Sequence, residues 1–255
     1  MSKPSTLGNA WSAFGGGLAA TFKNLGTVIP LMLGMGLVAA SADTALYHWL
    51  GGGETQDQGT LIKVLLAWTG VALVQEILLG PIIAAVAVYV GRLHSAGQGA
   101  SLYSAVNFAL GRYSRLFLPH MIAQLSIQLG LMLLLFPGVI YVSMYAFVDS
   151  VACLEQKVWP LDRSKKLTRG RRGSLVLIYL PIAILVQVVA LAELWALEQG
   201  VLVLGLVFSA VFLMFFIVNV AFYKLYEGRT TVVASTPAEA PPGAGTPEAP
   251  AASTP

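Results

Sequence analysis

The sequence predicts an all-α integral membrane protein with six transmembrane helices. Two observations predict this class. Of the 255 residues, 56% are hydrophobic and only 11% are charged, whereas soluble domains carry about 25% charged residues. The apolar residues also lie in long blocks rather than at amphipathic spacing. Because a helix needs roughly 20 apolar residues to cross a bilayer, these blocks exclude a soluble globular protein.

Six apolar segments form the predicted spans: residues 25–47, 61–90, 116–136, 139–154, 175–197 and 201–226. The fourth is short and contains Asp149, which makes it the weakest of the set. Phe136-Pro137-Gly138 separates it from the third span, and we predict a tight turn there because proline and glycine end helices. A kink at the same place would instead leave five spans and move the C-terminus outside.

The distribution of basic residues favours six spans. With the N-terminus inside, 14 of the 15 lysines and arginines fall on inner segments, and only Lys63 lies outside. Retention of these residues on the cytoplasmic side is the usual bias in membrane proteins. The predicted outer connections instead carry acids: Asp43, Glu54, Asp57, Glu193 and Glu198. We therefore expect a multi-pass plasma-membrane protein with both termini in the cytoplasm.

The chain divides into three predicted regions. Residues 1–24 form an N-terminal interfacial helix, residues 25–228 the six-helix transmembrane domain, and residues 229–255 a disordered Pro/Ala-rich cytoplasmic tail, because the tail has too few apolar residues to fold. The interfacial helix has an apolar stripe at 3-4-4 spacing: Trp11, Phe14, Leu18 and Phe22.

A repeated pattern indicates three copies of one structural unit. Each copy runs from a basic residue through a short apolar segment to a proline, at residues 23–30, 112–119 and 172–181. Candidate surface helices precede them, the second at 101–112 and the third at 161–172. The unit would be an interfacial helix followed by a helical hairpin. Chance similarity of so short a pattern is the alternative.

A motif between residues 110 and 180 resembles a known family. It reads FPGVIY at 136–141, VACLE at 151–155 and RSKKLTRGR at 163–171. It resembles the membrane domain found beside glycerophosphoryl diester phosphodiesterases and the related YciC-like bacterial inner-membrane proteins. The resemblance implies a fold and a bacterial inner membrane. It does not imply phosphodiesterase activity, because this chain carries no catalytic barrel, and Asp149 stands where the family has an uncharged residue.

Polar residues inside the predicted spans are candidate functional residues, because lipid cannot satisfy them: Glu76, His120, Gln124, Gln128, Asp149, Gln187 and Asn219. A charged residue such as Glu76 costs about 2.5–3.5 kcal/mol at the centre of a span. Glu76, Gln128 and Gln187 are predicted at mid-bilayer depth. His120, Asp149 and Asn219 are predicted nearer the cytoplasm. They either line a hydrophilic cavity or hold helices together, and with Pro81 as the one helix-breaking signal the second role is favoured.

A basic cluster after the fourth span is predicted to bind anionic lipid headgroups: Arg163, Lys165, Lys166, Arg169, Arg171 and Arg172. The alternative is that it only determines topology. Because the basic residues flank membrane segments, we expect lipid and not nucleic acid as the partner. We find no phosphate-binding glycine loop, zinc-type histidine spacing or nucleophile elbow in the sequence, so we predict no metal, cofactor or enzymatic activity.

Two functions are consistent with these features. The first is a non-enzymatic inner-membrane protein that organises or senses lipid through interfacial helices and basic cytoplasmic loops. The alternative is a small transporter or channel with an intramembrane carboxylate site at Glu76. An intramembrane lipid enzyme is less favoured than either, because it needs a nucleophile paired with a base.

Overall fold

The computed structural model describes residues 6–50, 58–133 and 135–235. Within these ranges every regular element is a helix. The helices are α1 (Thr6–Lys23), α2 (Leu25–Trp49), α3 (Gln58–Ser95), α4 (Leu102–Leu133), α5 (Leu135–Tyr145), α6 (Val148–Leu154), α7 (Pro160–Leu167), α8 (Arg172–Gln199) and α9 (Val201–Ser235).

Four stretches of the described residues are long and apolar enough to cross a membrane: Leu25–Trp49, Gly70–Ser95, Pro137–Leu154 and Val201–Thr230. A shorter apolar stretch, Arg172–Leu185, lies in α8. Only 39% to 50% of the most apolar part of each long stretch is buried inside the protein. The remaining apolar side chains therefore face outward and need contact with lipid. The prediction of an all-α membrane protein is confirmed at this level.

Helix α9 is central to the bundle and packs against α1, α2, α3 and α8. Its contact with α2 depends on small residues. A Cβ atom on Gly36 of α2 would lie 2.5 Å from the carbonyl oxygen of Gly205 and would collide with the hydroxyl of Ser209. Glycine therefore lets the two backbones approach closely, as small residues do in membrane bundles.

Helix α1 has two apolar faces that differ in side-chain size. The face against α9 is buried and carries small residues: Ala10, Ala13, Gly17 and Ala20. A Cβ atom on Gly17 would lie 2.9 Å from the carbonyl oxygen of Ile217 on α9. Two residues of the predicted stripe point outward, since Trp11 and Phe22 are 66% and 67% exposed, whereas Phe14 and Leu18 are half-buried and Phe14 packs against the core. The small face thus attaches α1 to the bundle and leaves the aromatic face to the surroundings.

Helices α4 and α5 form a tight antiparallel hairpin with only residue 134 between them. A Cβ atom on Gly130 would lie 2.8 Å from the amide nitrogen of Gly138, so the two helices touch through their backbones. The turn predicted at Phe136-Pro137-Gly138 is wrong in position, because these residues lie in the first turn of α5. Proline is tolerated in the first turn of a helix, where its missing N–H has no partner to lose.

The predicted fourth span is broken into α5 and α6 at residues 146–147. The buried hydroxyl of Ser164 on α7 satisfies the backbone at the break. It accepts a hydrogen bond from the N–H of Phe147 (3.2 Å) and donates one to the carbonyl oxygen of Met144 (2.8 Å). Backbone groups released by a broken helix need such protein partners wherever water is absent. The break places Asp149 in the first turn of α6.

We expect Ser164→Ala to lower the free energy of unfolding by about 1–3 kcal/mol, the cost of leaving buried polar groups without partners. Denaturant unfolding of the detergent-solubilised protein measures this loss. Ser12→Ala removes an exposed hydroxyl from α1 and is the control, with an expected change within about 0.5 kcal/mol. Equal stability of Ser164→Ala and the wild type would contradict this role of Ser164.

Two predicted boundaries are corrected. The surface helix expected at 101–112 is not separate, because α4 runs unbroken from Leu102 to Leu133; the glycine inside it, Gly111, costs a helix only about 1 kcal/mol. Residues 229–235 of the expected tail are helical, because α9 runs to Ser235. Residues 236–255 lie outside the described residues.

Candidate functional site

A cavity of about 790 Å³ lies within the bundle, and α2, α3, α4, α5, α6, α8 and α9 all contribute to its wall. Cavities of roughly 300–1,000 Å³ are typical of small-molecule sites. One side of the wall is apolar and aromatic, with Phe208, Phe212 and Phe215 of α9 among the lining residues. The other side is polar and is formed mainly by α3, α4 and α6.

His120 of α4 is the centre of the polar side and is only 4% exposed. Its Nδ1 lies 3.0 Å from Oδ1 of Asp149 on α6, so this nitrogen is hydrogen-bonded to a carboxylate. Its Nε2 lies 3.8 Å from Oε1 of Glu76 on α3, which is too long for a direct hydrogen bond. Nε2 is buried and has no hydrogen-bond partner among the described residues. The imidazole is therefore hydrogen-bonded through one nitrogen, while the other is buried without a hydrogen-bond partner among the described residues.

Gly80 explains why His120 can approach α3 so closely. A Cβ atom on Gly80 would lie 2.5 Å from Nε2 of His120 and 3.1 Å from Oε1 of Glu76. Real Cβ atoms essentially never approach a neighbour within 3.0 Å. The missing side chain therefore creates the space in which α3 and α4 bring an acid and an imidazole together.

The structure brings most of the predicted polar residues to this cavity. The lining includes Glu76, His120, Gln124, Gln128, Asp149 and Asn219. The side chain of Gln187 lies outside what the structure describes. The predicted separation into two depths is wrong for Glu76, His120 and Asp149, which form one cluster. The reason is the close α3–α4 approach at Gly80, which a reading of each span by itself does not reveal.

Another part of the wall carries acids that the sequence analysis missed. Asp43 and Glu193 were predicted in outer connections, yet they lie in α2 and α8 and line the cavity. Gln75 of α3 also lines it and donates a hydrogen bond of 2.9 Å to Oδ1 of Asp43. A signal for Asp43 was present in the four small residues before it, 39–42, because small residues allow another helix to pack against the same segment.

The cavity wall is acidic. Four carboxylates line it: Asp43, Glu76, Asp149 and Glu193. Among the described lining residues, His120 is the single basic side chain. Low-dielectric walls strengthen the field of such charges, so the cavity favours cations over anions.

The predicted lipid-binding cluster is partly engaged within the protein. Arg163 Nε lies 2.8 Å from Oε2 of Glu155, and Arg171 donates a hydrogen bond of 3.3 Å to a backbone carbonyl of α9. Burial, together with the charge of Arg229, lowers the pKa of Arg171 below its usual value. Lys165 lies 5.5 Å from the centre of an aromatic ring of α5. The exposed members of the cluster are Lys166, Arg169 and Arg172.

The chemistry of the cluster formed by Glu76, His120 and Asp149 suits reversible binding of a proton or a cation. The groups available to a ligand are the carboxylate of Glu76 and Nε2 of His120. These two are fewer than the three protein ligands of a typical catalytic zinc site. Among the described residues, no group of three or more His, Cys, Asp or Glu is placed to hold a metal ion.

Comparison of the chain with protein-family models, curated proteins and solved structures found no match.

Proposed function

We propose that this protein is a small membrane transporter that carries a cationic solute through the acidic cavity. The observation that supports this function is the cluster of Glu76, His120 and Asp149 on the wall of a cavity of about 790 Å³. Ionisable residues within membrane helices are costly and typically mark substrate or proton pathways. A bound cation would offset the negative charge of the wall.

The broken fourth span supports transport over a purely structural role for the polar residues. Transporters commonly form their sites at discontinuous helices, where irregular backbone lines a cavity. Here Ala146, which lies in the break, lines the cavity together with Val148 and Asp149 of α6. The sequence has neither proline nor glycine at 146–147, which is why the sequence analysis favoured a structural role.

The proposed topology has six spans, with both termini in the cytoplasm. Helices α4 and α8 contain 32 and 28 residues, more than the roughly 20 needed to cross a bilayer, and we assign them as the third and fifth spans. The positions of the basic residues support the orientation. The resemblance to the phosphodiesterase-associated membrane domain supports a bacterial inner membrane. Helix α1 before α2 and helix α7 before α8 support the repeated unit.

Uptake by proteoliposomes tests the proposed function. The probe is radiolabelled methylphenylpyridinium, an aromatic cation that stays charged at every pH and therefore leaks slowly through lipid. We expect uptake that is faster than in protein-free liposomes, depends on pH and saturates with concentration. Saturation distinguishes a transporter from a channel. Equal uptake in the two kinds of vesicle would contradict transport of this class of solute.

A second candidate function is the organisation or sensing of anionic lipid. Two observations favour it: the exposed cations Lys166, Arg169 and Arg172, and the outward aromatic face of α1 with Trp11 and Phe22. Each basic residue near an anionic membrane surface contributes about 1 kcal/mol of attraction. This function is compatible with transport, since it uses a different surface.

Native mass spectrometry of the detergent-purified protein tests the lipid proposal. We expect anionic lipid to remain bound to the wild type and to be lost when Lys166, Arg169 and Arg172 are replaced by glutamine. Arg163 and Arg171 are left unchanged because they bond within the protein. The control replaces two other exposed cations, Arg92 and Lys157. Equal loss in the control, or no selective lipid in the wild type, would contradict a specific site.

A further inference from the structure

We infer that the cavity binds a primary or secondary ammonium with an apolar body, whose N–H groups bridge Glu76 and His120, and that its binding displaces one proton from His120. This inference rests on the proposed function, because it concerns the same cavity, and it names the substrate class and the coupled ion. The Nε2 atom of His120, which is buried and has no hydrogen-bond partner among the described residues, is the observation that points to a ligand.

The positions of two acceptors define the ligand's charged group. Because Nδ1 of His120 is hydrogen-bonded to the carboxylate of Asp149, a neutral imidazole presents Nε2 as an acceptor. Oε1 of Glu76 is a second acceptor 3.8 Å away. An ammonium nitrogen that bridges them would lie about 2.9 Å from each, the usual length of such hydrogen bonds. A quaternary cation, which has no N–H, can form neither bond.

The charges of the cluster explain why a proton leaves. Besides His120, the titratable side chains among the described lining residues are Asp43, Glu76, Tyr145, Asp149, Tyr179 and Glu193. With both nitrogens of His120 protonated and both carboxyl groups ionised, the three side chains have a net charge of −1, because one imidazolium offsets one of the two carboxylates. When an ammonium enters and the Nε2 proton leaves to water, this net charge stays the same. Buried clusters that keep their charge balance avoid an added desolvation cost, so exchange is favoured over simple addition.

The apolar side of the cavity defines the rest of the ligand. Phe208, Phe212 and Phe215 line the wall contributed by α9. Aromatic rings stabilise an ammonium through cation–π attraction and bury an apolar body through the hydrophobic effect. A small inorganic cation has no apolar body to bury, whereas an aromatic or alkyl amine gains both contributions.

Calorimetric titration of the full chain in lipid nanodiscs tests this inference, with empty nanodiscs as the blank for partitioning into lipid. The probes are phenethylamine, its neutral analogue phenethyl alcohol and its quaternary analogue phenethyltrimethylammonium. We expect the amine to bind at least about tenfold more tightly than either analogue, the factor for one charge-assisted hydrogen bond. Titrations in two buffers of different ionisation enthalpy should report about one proton released per amine bound near neutral pH.

Substitutions at Glu76 and His120 test which residue binds the amine and which releases the proton. Glu76→Gln should weaken amine binding at least about tenfold and leave alcohol binding unchanged, and His120→Gln should abolish proton release. Equal affinity for the amine and the alcohol, or amine binding without proton release by the wild type, would overturn the inference. Neither wild-type comparison depends on a variant folding.

The two proposals can fail separately. If the protein binds the amine with proton release but does not transport methylphenylpyridinium, the proposed transport of that probe is contradicted and the proposed ammonium site is supported. If the protein transports that cation but binds the amine no more tightly than the alcohol, the proposed transporter function is supported and the proposed ammonium site is contradicted.

Discussion

Replacing Glu76 by glutamine is expected to lower the initial rate of methylphenylpyridinium uptake into proteoliposomes at least about tenfold. Glutamine keeps the shape of the side chain and removes its charge. The cation then loses a carboxylate in a cavity where low dielectric strengthens charge interactions. The substitution also removes the carboxylate that lies 3.8 Å from Nε2 of His120, so the pH dependence of uptake should change as well.

Glu198→Gln is the matched control for this experiment. Glu198 lies in the last turn of α8 and is exposed, and it is not among the residues that line the cavity. Its variant should transport at the wild-type rate. Initial rates are compared between about pH 6 and 8, where histidine usually titrates, at equal amounts of reconstituted protein. Uptake by Glu76→Gln at the wild-type rate would remove Glu76 from the mechanism.

Gly36→Ala is expected to lower the free energy of unfolding by about 1–3 kcal/mol, the usual cost of overpacking a close contact. The new methyl group would lie 2.5 Å from the carbonyl oxygen of Gly205 and 2.8 Å from the amide nitrogen of Ser209. Both atoms are backbone, so they cannot move aside as the end of a flexible side chain can. Helices α2 and α9 must separate instead.

Gly34→Ala is the control in the same helix, because nothing lies within 4 Å of the position of its Cβ atom. Alanine favours a helix over glycine by about 1 kcal/mol, so this variant should be as stable as the wild type or more stable. The difference between the two variants isolates the α2–α9 contact from helix propensity. Unfolding of the micelle-solubilised protein in a denaturing detergent measures it. Equal stability of the two variants would contradict the close approach at Gly36.

The membrane fold class could be predicted because it depends on local composition. An apolar block long enough to cross a bilayer is visible in the sequence whatever the block later contacts. The polar lining of the cavity could be predicted in part for a similar reason, since side chains such as Gln124, Gln128 and Asn219 must turn away from lipid. These predictions required no knowledge of which helices are neighbours.

Other features could not be predicted because they arise from contacts between helices. The Glu76–His120 pair depends on Gly80, and glycine in a membrane helix is too common to mark a site by itself. The break at residues 146–147 is stabilised by Ser164, which lies in a different helix. Asp43 and Glu193 were assigned to outer connections because of their charge, although the predicted spans 25–47 and 175–197 contain both, and both lie in long helices that line the cavity.

The hydrogen bonds of Ser164 connect the basic surface on α7 with the polar side of the cavity. Helix α7 carries the exposed Lys166, and its Ser164 holds the break next to Asp149, the carboxylate bonded to His120. We therefore expect a headgroup that shifts α7 to shift also the carboxylate that orients the imidazole. Linkage then requires reciprocity: if lipid changes the affinity for the solute by some factor, the solute changes the affinity for lipid by the same factor. The composition of the surrounding membrane would in that case act as an effector of the cavity.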